Sequence, residues 1–177
     1  MKYNILLRLV HWLTSVAIIG LILSGYFMTE LNANNGDTLL GFGKWEVYRL
    51  HKSFGVIIIG LFVLRVLLRL ATKTPELPFE VKPIDAILAK LGHFGLYMFI
   101  IAVPVSGVIM SMAGGYGVKV FGYALPSFIE KDKELGGLAH EIHIIIPYVM
   151  AGLIAVHIFA VFKHIIVDKV NLLKRMF

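Results

Sequence analysis

Four long apolar runs divide the chain, and polar or charged residues separate them. The runs cover residues 10–28, 47–71, 91–118 and 142–162. Roughly 20 apolar residues in a helix cross a hydrocarbon core of about 30 Å, so each run is long enough to span a membrane. Because only helices and closed barrels satisfy all backbone hydrogen bonds in lipid, the pattern predicts an all-α membrane protein, a bundle of four transmembrane helices.

From these runs and their flanking residues we predict helices at about residues 5–29, 47–71, 86–113 and 138–167, in one domain that covers residues 1–177. The first run is too long for the apolar part of a typical signal peptide, and no convincing cleavage site follows it, so we expect a retained helix. The composition agrees with a membrane protein, since 58% hydrophobic and 16% charged residues is too apolar for a soluble domain of this size.

The basic residues predict the orientation of the bundle. Eleven of the 17 Lys and Arg residues lie at the N-terminus, in the 65–90 connection or in the C-terminal tail, and six lie in the 29–52 and 113–141 connections. The positive-inside rule therefore places both termini in the cytoplasm. This asymmetry explains most of the net charge of +6, so we expect contacts with membrane lipids and no nucleic-acid partner.

Two histidines lie inside the last apolar run. His143 and His157 are fourteen residues apart, and no charged residue lies between residues 142 and 162. At about 100° per residue, this separation returns a helix to within about 40° of its starting direction, about 21 Å further along its axis. Both rings therefore point the same way at two depths in the bilayer, where an ionisable side chain is costly and usually functional.

Depth in the predicted bundle matches each of these histidines with one on another helix. His11 and His157 fall near the cytoplasmic side, and His51 and His143 fall near the outer side. Two bis-histidine haems stacked across the membrane would need these two pairs as iron ligands. The alternative is four unrelated polar residues in helix–helix hydrogen bonds. The sequence has no cysteine, which excludes disulfides, iron–sulfur clusters and thioether attachment, so any haem is bound non-covalently.

Other polar residues lie at depths where they could serve such haems. We expect propionate contacts from Arg8, Arg49, Lys52 and Arg65, although basic side chains near helix ends also reach the interface without a ligand.

Two further histidines are candidates for a quinone site on the cytoplasmic side. His164 follows His157 by two helical turns on nearly the same face. It is either a solvated interfacial residue or a group that binds quinone and transfers protons. His93 opens the third helix, and either packs or contributes to the same site.

Along nearly its whole length the chain resembles the small bacterial cytochrome b561 proteins. The resemblance rests on motifs in the family's order and spacing, with His143, His157 and His164 in the last helix. These motifs are RLVHW at residues 8–12, HKSFG at 51–55 followed by Leu64, Arg65 and Arg69, LGHFGLY at 91–97, PVSG at 104–107 and LKRM at 173–176.

The resemblance implies a multi-pass protein of the bacterial inner membrane that binds two haem b groups in a four-helix bundle. It implies axial ligands at His11, His51, His143 and His157, in agreement with the pairs found from depth. It also implies exchange of electrons with ubiquinone or another quinone. One branch of the family oxidises periplasmic superoxide, so we expect an oxidoreductase that carries electrons between a periplasmic donor, superoxide among the candidates, and the quinone pool.

The charge of the outer connections leaves the donor open. They carry six basic and seven acidic residues, a poor attractor for an anion as a whole, although Lys44, Arg49 and Lys52 cluster near His51. The alternative is a cytochrome b subunit that relays electrons for a periplasmic redox protein or a dehydrogenase. A haem-free proton-coupled transporter is a remote alternative, because four spans without an internal repeat do not resemble known transporter folds.

Overall fold

The computed structural model describes residues 2–177, and four long helices make up most of them. They are α1 (Ile5–Glu30), α2 (Lys44–Ala71), α3 (Pro83–Ala113) and α4 (Lys133–Ile166). All four are long and apolar enough to cross a membrane. The predicted fold class, an all-α membrane protein with four spans, is therefore confirmed.

Three helices begin earlier than hydropathy predicts, because their first turns are polar and capped. Glu46 accepts a hydrogen bond from the Gly43 amide at 3.1 Å, so α2 begins three residues before the expected position. Pro83 occupies the first turn of α3, where its missing N–H costs nothing. The Asp132 side chain accepts hydrogen bonds from two amides of the first turn of α4, which begins five residues early.

Consecutive helices run antiparallel, and α2 packs against both α1 and α3 while α3 also packs against α4. The centre of the bundle is a small apolar cluster of Ile18, Ile58 and Met150, from α1, α2 and α4. Phe99 and Val103 of α3 pack against it. All four helices thus share one core, at mid-depth between the two ends of the bundle.

Both chain ends and the α2–α3 connection meet at one end of the bundle, here called the terminal face. The Tyr3 amide donates to the carbonyl of Arg175 at 3.0 Å, and the Arg175 guanidinium donates to the carbonyl of Pro75 at 2.6 Å. The Trp12 indole N–H donates to the carbonyl of Met176 at 2.9 Å. A short 3₁₀ helix, Leu172–Arg175, brings the C-terminal tail into these contacts.

The opposite end, here called the hairpin face, carries two small antiparallel hairpins that the sequence analysis did not predict. The first pairs β1 (Thr38–Leu39) with β2 (Phe42–Gly43), and the second pairs β3 (Lys119–Val120) with β4 (Tyr123–Ala124). Strands of two residues are too short for an alternating pattern. A 3₁₀ turn, Ala33–Asn35, precedes the first hairpin.

The second hairpin is docked on α2. The Phe121 amide donates to the Ser53 hydroxyl at 2.9 Å, and the Phe121 ring lies edge-on to Phe54 with ring centres 5.6 Å apart. Phe121 has φ 47° at the hairpin turn, a conformation unfavourable for a non-glycine residue. The hydrogen bond and the ring contact hold it there, and the hairpin covers the bundle one turn from His51.

Candidate functional site

His51 of α2 and His143 of α4 lie side by side near the hairpin face. Their ring centres are 6.2 Å apart and their planes are nearly perpendicular, at 85°. Metal–imidazole bonds of about 2 Å, plus about 1 Å from each nitrogen to its ring centre, place two rings on one metal ion about 6 Å apart. The observed spacing therefore fits two histidines that would together hold one haem iron.

The Nδ1 atom of each ring is held by the neighbouring helix. The His51 Nδ1 lies 3.0 Å from the Ser24 hydroxyl of α1. The His143 Nδ1 lies 3.1 Å from the Ser106 hydroxyl of α3 and 3.0 Å from the Val103 carbonyl oxygen. With Nδ1 occupied in both rings, Nε2 remains as the nitrogen that can bind a metal ion.

Glycines give the two rings their space. A Cβ atom on Gly25 would lie 3.2 Å from the His51 Cε1, and a Cβ atom on Gly107 would lie 2.8 Å from the His143 Cε1. Ordinary contacts of this kind are 3.4 Å or longer. The helices therefore approach each histidine more closely than any residue with a side chain would allow.

Near the terminal face the structure gathers three histidines where the sequence predicted a pair. The rings of His157 and His93 have centres 5.4 Å apart, inclined at 59°. His11 of α1 and Arg65 of α2 lie close enough to interact electrostatically with both His93 and His157. The His11–His157 pair stays a prediction. His93 is a neighbour of this pair at the same depth, and its side chain is exposed at the surface of the bundle.

Two arginines near the terminal face have buried nitrogen atoms without a hydrogen-bond partner in residues 2–177. They are the Nε of Arg8 and one terminal nitrogen of Arg69. Such an atom costs free energy unless an acceptor satisfies it. A haem propionate is an acceptor of this kind, so Arg8 fits the predicted role, and Arg69 is a candidate that the sequence analysis missed. The predicted contact Arg65 instead donates from Nε to the Tyr97 hydroxyl at 3.2 Å.

The remaining predicted propionate contacts lie at the hairpin face. Arg49 is exposed and 3.8 Å from Glu46, and the Lys52 ammonium lies 5.9 Å from the centre of the Tyr116 ring. A cavity of about 250 Å³ opens beside Arg49, and residues on both sides of His51 in the sequence line it. It is lined by Arg49, Leu50, Ser53, Phe121 and Gly122.

His164 belongs to a network of charged groups at the terminal face. It is only 7% exposed, and its Nδ1 lies 2.7 Å from an Asp168 carboxylate oxygen. The Lys163 ammonium lies 2.8 Å from Asp168 and 2.7 Å from Asp85 of α3. Hydrogen bonds from Lys163 and then His164 hold the pKa of Asp168 below its ordinary value. His164 is therefore a buried, paired histidine, in contrast to a solvated interfacial one.

The sequence analysis assigned none of these contacts. The contact of Asp168 could have been predicted, because Asp168 follows His164 by four residues, a spacing at which side chains meet near a helix end. The contacts of Asp85 and of Ser106, which was noted only within the PVSG motif, could not, because each reaches its partner from another helix.

A four-helix membrane bundle with histidines gathered at two depths is the arrangement of a membrane cytochrome b. The chain belongs to the prokaryotic cytochrome b561 family, whose model matches residues 2–177. It is therefore a multi-pass bacterial membrane protein of a family that binds b-type haem and transfers electrons in membranes.

Two curated relatives cover almost the whole chain. It is 28% identical over 178 residues to cytochrome b561 homolog 2 of Escherichia coli (strain K12), and the matched region covers 99% of this chain and 90% of the relative. It is 27% identical over 175 residues to the probable superoxide oxidase CybB of Yersinia pestis, which covers 99% of this chain and 95% of that relative.

Proposed function

We propose that the protein holds two haem b groups and carries electrons across the bacterial inner membrane between a periplasmic donor and the quinone pool. The outer haem lies between His51 and His143, and the inner haem lies between His11 and His157. The observation that carries this proposal is the perpendicular His51–His143 pair, 6.2 Å apart, with both Nδ1 atoms held by hydroxyl groups.

Each haem, when bound, supplies reversible one-electron transfer at its iron. The chain supplies everything else. The helices hold the ligand rings and exclude water, and basic side chains neutralise the propionates. At the inner site Arg8 and Arg69 serve this role, because their buried nitrogens need acceptors. At the outer site Arg49 and Lys52 are the basic groups on the turn that carries His51.

Superoxide is the proposed donor. One relative is named as a probable superoxide oxidase. The cavity beside Arg49 is large enough for a small anion, and Leu50 and Ser53, which flank His51 in the sequence, help to line it. Local positive charge from Arg49 and Lys52 attracts an anion there, even though the outer connections as a whole are slightly acidic.

A periplasmic redox protein is the second candidate donor, and a different observation favours it. The hairpin face exposes several large aromatic side chains, among them Tyr116 and Tyr123, each 82% exposed, and Phe128, 76% exposed. Exposed aromatic residues are enriched in protein interfaces, although they also occur where a membrane protein meets lipid headgroups.

Quinone is the proposed acceptor at the terminal face. Two electrons and two protons convert a quinone to a quinol, and oxidation of two superoxide anions to two O₂ supplies the electrons. His93 is exposed beside His157, where a lipid-soluble molecule can reach it. His164, two helical turns beyond His157 on α4, is hydrogen-bonded to Asp168, and this pair is the proposed route for the protons.

Haem content tests the first step of this proposal. A pyridine haemochrome assay should give two haems per wild-type chain, and His51→Ala should remove one and leave the other. A wild-type ratio near one contradicts the proposal. Superoxide-driven reduction of a short-chain quinone then separates the two donors, because a relay for a redox protein does not turn over with superoxide alone.

The orientation needs its own test. The proposal places both termini in the cytoplasm, and the structure brings both ends to the same face. A C-terminal reporter that is active only in the periplasm contradicts this orientation.

A further inference from the structure

The same dipeptide accompanies both histidines of the outer site. Ser24-Gly25 of α1 meets His51, and Ser106-Gly107 of α3 meets His143. In each case the serine hydroxyl contacts Nδ1 of the ring, and the glycine that follows faces the neighbouring Cε1 atom. Neither dipeptide lies on a helix that carries one of these two ligands.

The hydrogen bonds determine which nitrogen carries the proton. The Ser106 hydroxyl lies 2.7 Å from the carbonyl oxygen of Val103 and donates its one hydrogen there. That carbonyl is also 3.0 Å from the His143 Nδ1, and a carbonyl only accepts. The His143 Nδ1 is therefore the protonated nitrogen, and Nε2 carries the lone pair.

His51 has a similar arrangement, but without a carbonyl at its Nδ1. The Ser24 hydroxyl lies 3.1 Å from the carbonyl oxygen of Leu21 on its own helix and 3.0 Å from the His51 Nδ1. A neutral ring that binds iron through Nε2 carries its proton on Nδ1. In that state the His51 Nδ1 would donate to the Ser24 oxygen, and the Ser24 hydroxyl would donate to the Leu21 carbonyl.

We propose that Ser24 and Ser106 are positioning residues that hold the ring orientation of the two outer ligands through Nδ1 and lower the reduction potential of the site they form. This inference rests on the proposed function. When Nδ1 donates a hydrogen bond, the imidazole becomes a stronger electron-pair donor to a metal at Nε2. A stronger electron-pair donor favours ferric over ferrous iron, because ferric iron carries the higher charge. Second contacts of this kind are one of the means by which a protein sets the potential of a haem.

The two serines are not equivalent, and this gives the inference a specific signature. Without the Ser106 hydroxyl, His143 keeps its hydrogen bond to the Val103 carbonyl at 3.0 Å. Without the Ser24 hydroxyl, His51 loses the acceptor that the structure gives its Nδ1 within residues 2–177. Ser24→Ala should therefore raise the outer potential clearly more than Ser106→Ala does.

The expected size follows from other metal sites. Loss of such a contact typically changes metal affinity about 10- to 100-fold. A tenfold loss of preference for ferric over ferrous iron is about 59 mV for one electron. We expect about this upward shift for Ser24→Ala and less than half of it for Ser106→Ala, with the potential of the inner haem unchanged in both.

The experiment is a potentiometric titration of the purified full-length protein, followed by its visible spectrum. Ser15→Ala is the matched control for the outer potential, because the half-buried Ser15 hydroxyl of α1 donates to the backbone carbonyl of His11, on the inner side, at 2.8 Å. If Ser24→Ala loses haem, the variants Ser24→Thr and Ser24→Val are compared in its place. These two side chains have the same shape, and only threonine keeps the hydroxyl.

The outcomes separate this inference from the proposed function. One haem in the wild-type protein, or two haems in His51→Ala, contradicts the proposed function itself. Two haems in the wild type, with potentials unchanged in Ser24→Ala, overturns the serine inference alone. Equal shifts in Ser24→Ala and Ser106→Ala, or identical potentials and haem content in the threonine and valine variants, also overturn it.

Discussion

Replacing Gly107 with alanine should remove the outer haem selectively. The new Cβ would lie 2.8 Å from the His143 Cε1, and 3.2 Å and 3.3 Å from the two ring nitrogens. Contact at 3.4 Å, the short end of the ordinary range, requires the ring to move by about 0.6 Å. Metal–ligand bonds tolerate about 0.2 Å, so the ring cannot move this far and keep its bond to the iron.

The cost can be estimated from the rigidity of the site. The His143 ring is held by Ser106 and the Val103 carbonyl, so a shift of the ring also weakens these hydrogen bonds. An inserted methyl in a packed core costs about 1–3 kcal/mol, and a loosened hydrogen bond costs about 1 kcal/mol more. At about 1.4 kcal/mol per tenfold change, the outer haem should bind about 30- to 1,000-fold more weakly.

The assay is haem content per chain after purification and haem titration, with reduced-minus-oxidised spectra to assign the haem that is lost. Gly25→Ala should show a smaller loss, because its Cβ would approach the His51 ring only to 3.2 Å. Gly20→Ala is the control, since a Cβ at this position of α1 meets nothing within 4 Å. Two haems in Gly107→Ala at wild-type affinity would refute the reasoning, and so would an equal loss in Gly20→Ala.

Three further predictions concern the terminal face. His11→Ala should remove the inner haem, whereas His93→Ala should keep both haems and slow quinone reduction; haem counts with the reverse pattern would make His93 the ligand. His164→Gln should keep both haems and slow haem reoxidation by a short-chain quinone, and an unchanged rate with both haems present excludes the proposed proton role. Because the pKa of Asp168 is lowered by Lys163, its ionised form stabilises the fold above the ordinary carboxyl pKa, and this stabilisation disappears as the pH falls through the lowered value. Thermal melting of Asp168→Asn should therefore show a loss at pH 7 that shrinks below about pH 4, with exposed Glu80→Gln as control; a loss that does not depend on pH contradicts the ionic explanation.

Hydropathy predicted the four spans because an apolar segment in lipid must satisfy its backbone hydrogen bonds internally, and a helix does so. The same pattern could not locate the first turns of α2 and α4, which contain charged residues such as Lys44 and Lys133. Nor could it find the hairpins, which depend on short turns and on docking contacts such as Phe121 to Ser53.

Helical periodicity predicted that His143 and His157 share one face, because that spacing is a local property of one helix. Contacts between helices are not local, and the observed neighbours of the histidines differ from the predicted ones at these contacts. His93 was expected to open the third helix, but it lies inside α3, which begins at Pro83, and its ring lies against His157 of α4. Ser106 lies in the PVSG motif and Ser24 in no motif, and the contact of each serine with a histidine became visible only in the structure.

The two histidine clusters differ in construction, and the difference agrees with opposite tasks in the proposed electron path. At the outer site both Nδ1 atoms are held and glycines fit closely against the rings, so the ligands have little freedom. One-electron exchange with a small donor needs no protons there, and a fixed geometry limits the rearrangement that accompanies each electron. At the terminal face an exposed His93 of α3 lies against His157, and the buried His164 of α4 pairs with Asp168 just beyond the end of that helix. Reduction of a quinone consumes protons as well as electrons. Titratable groups therefore lie at the terminal face, where the proposed quinone reduction requires protons.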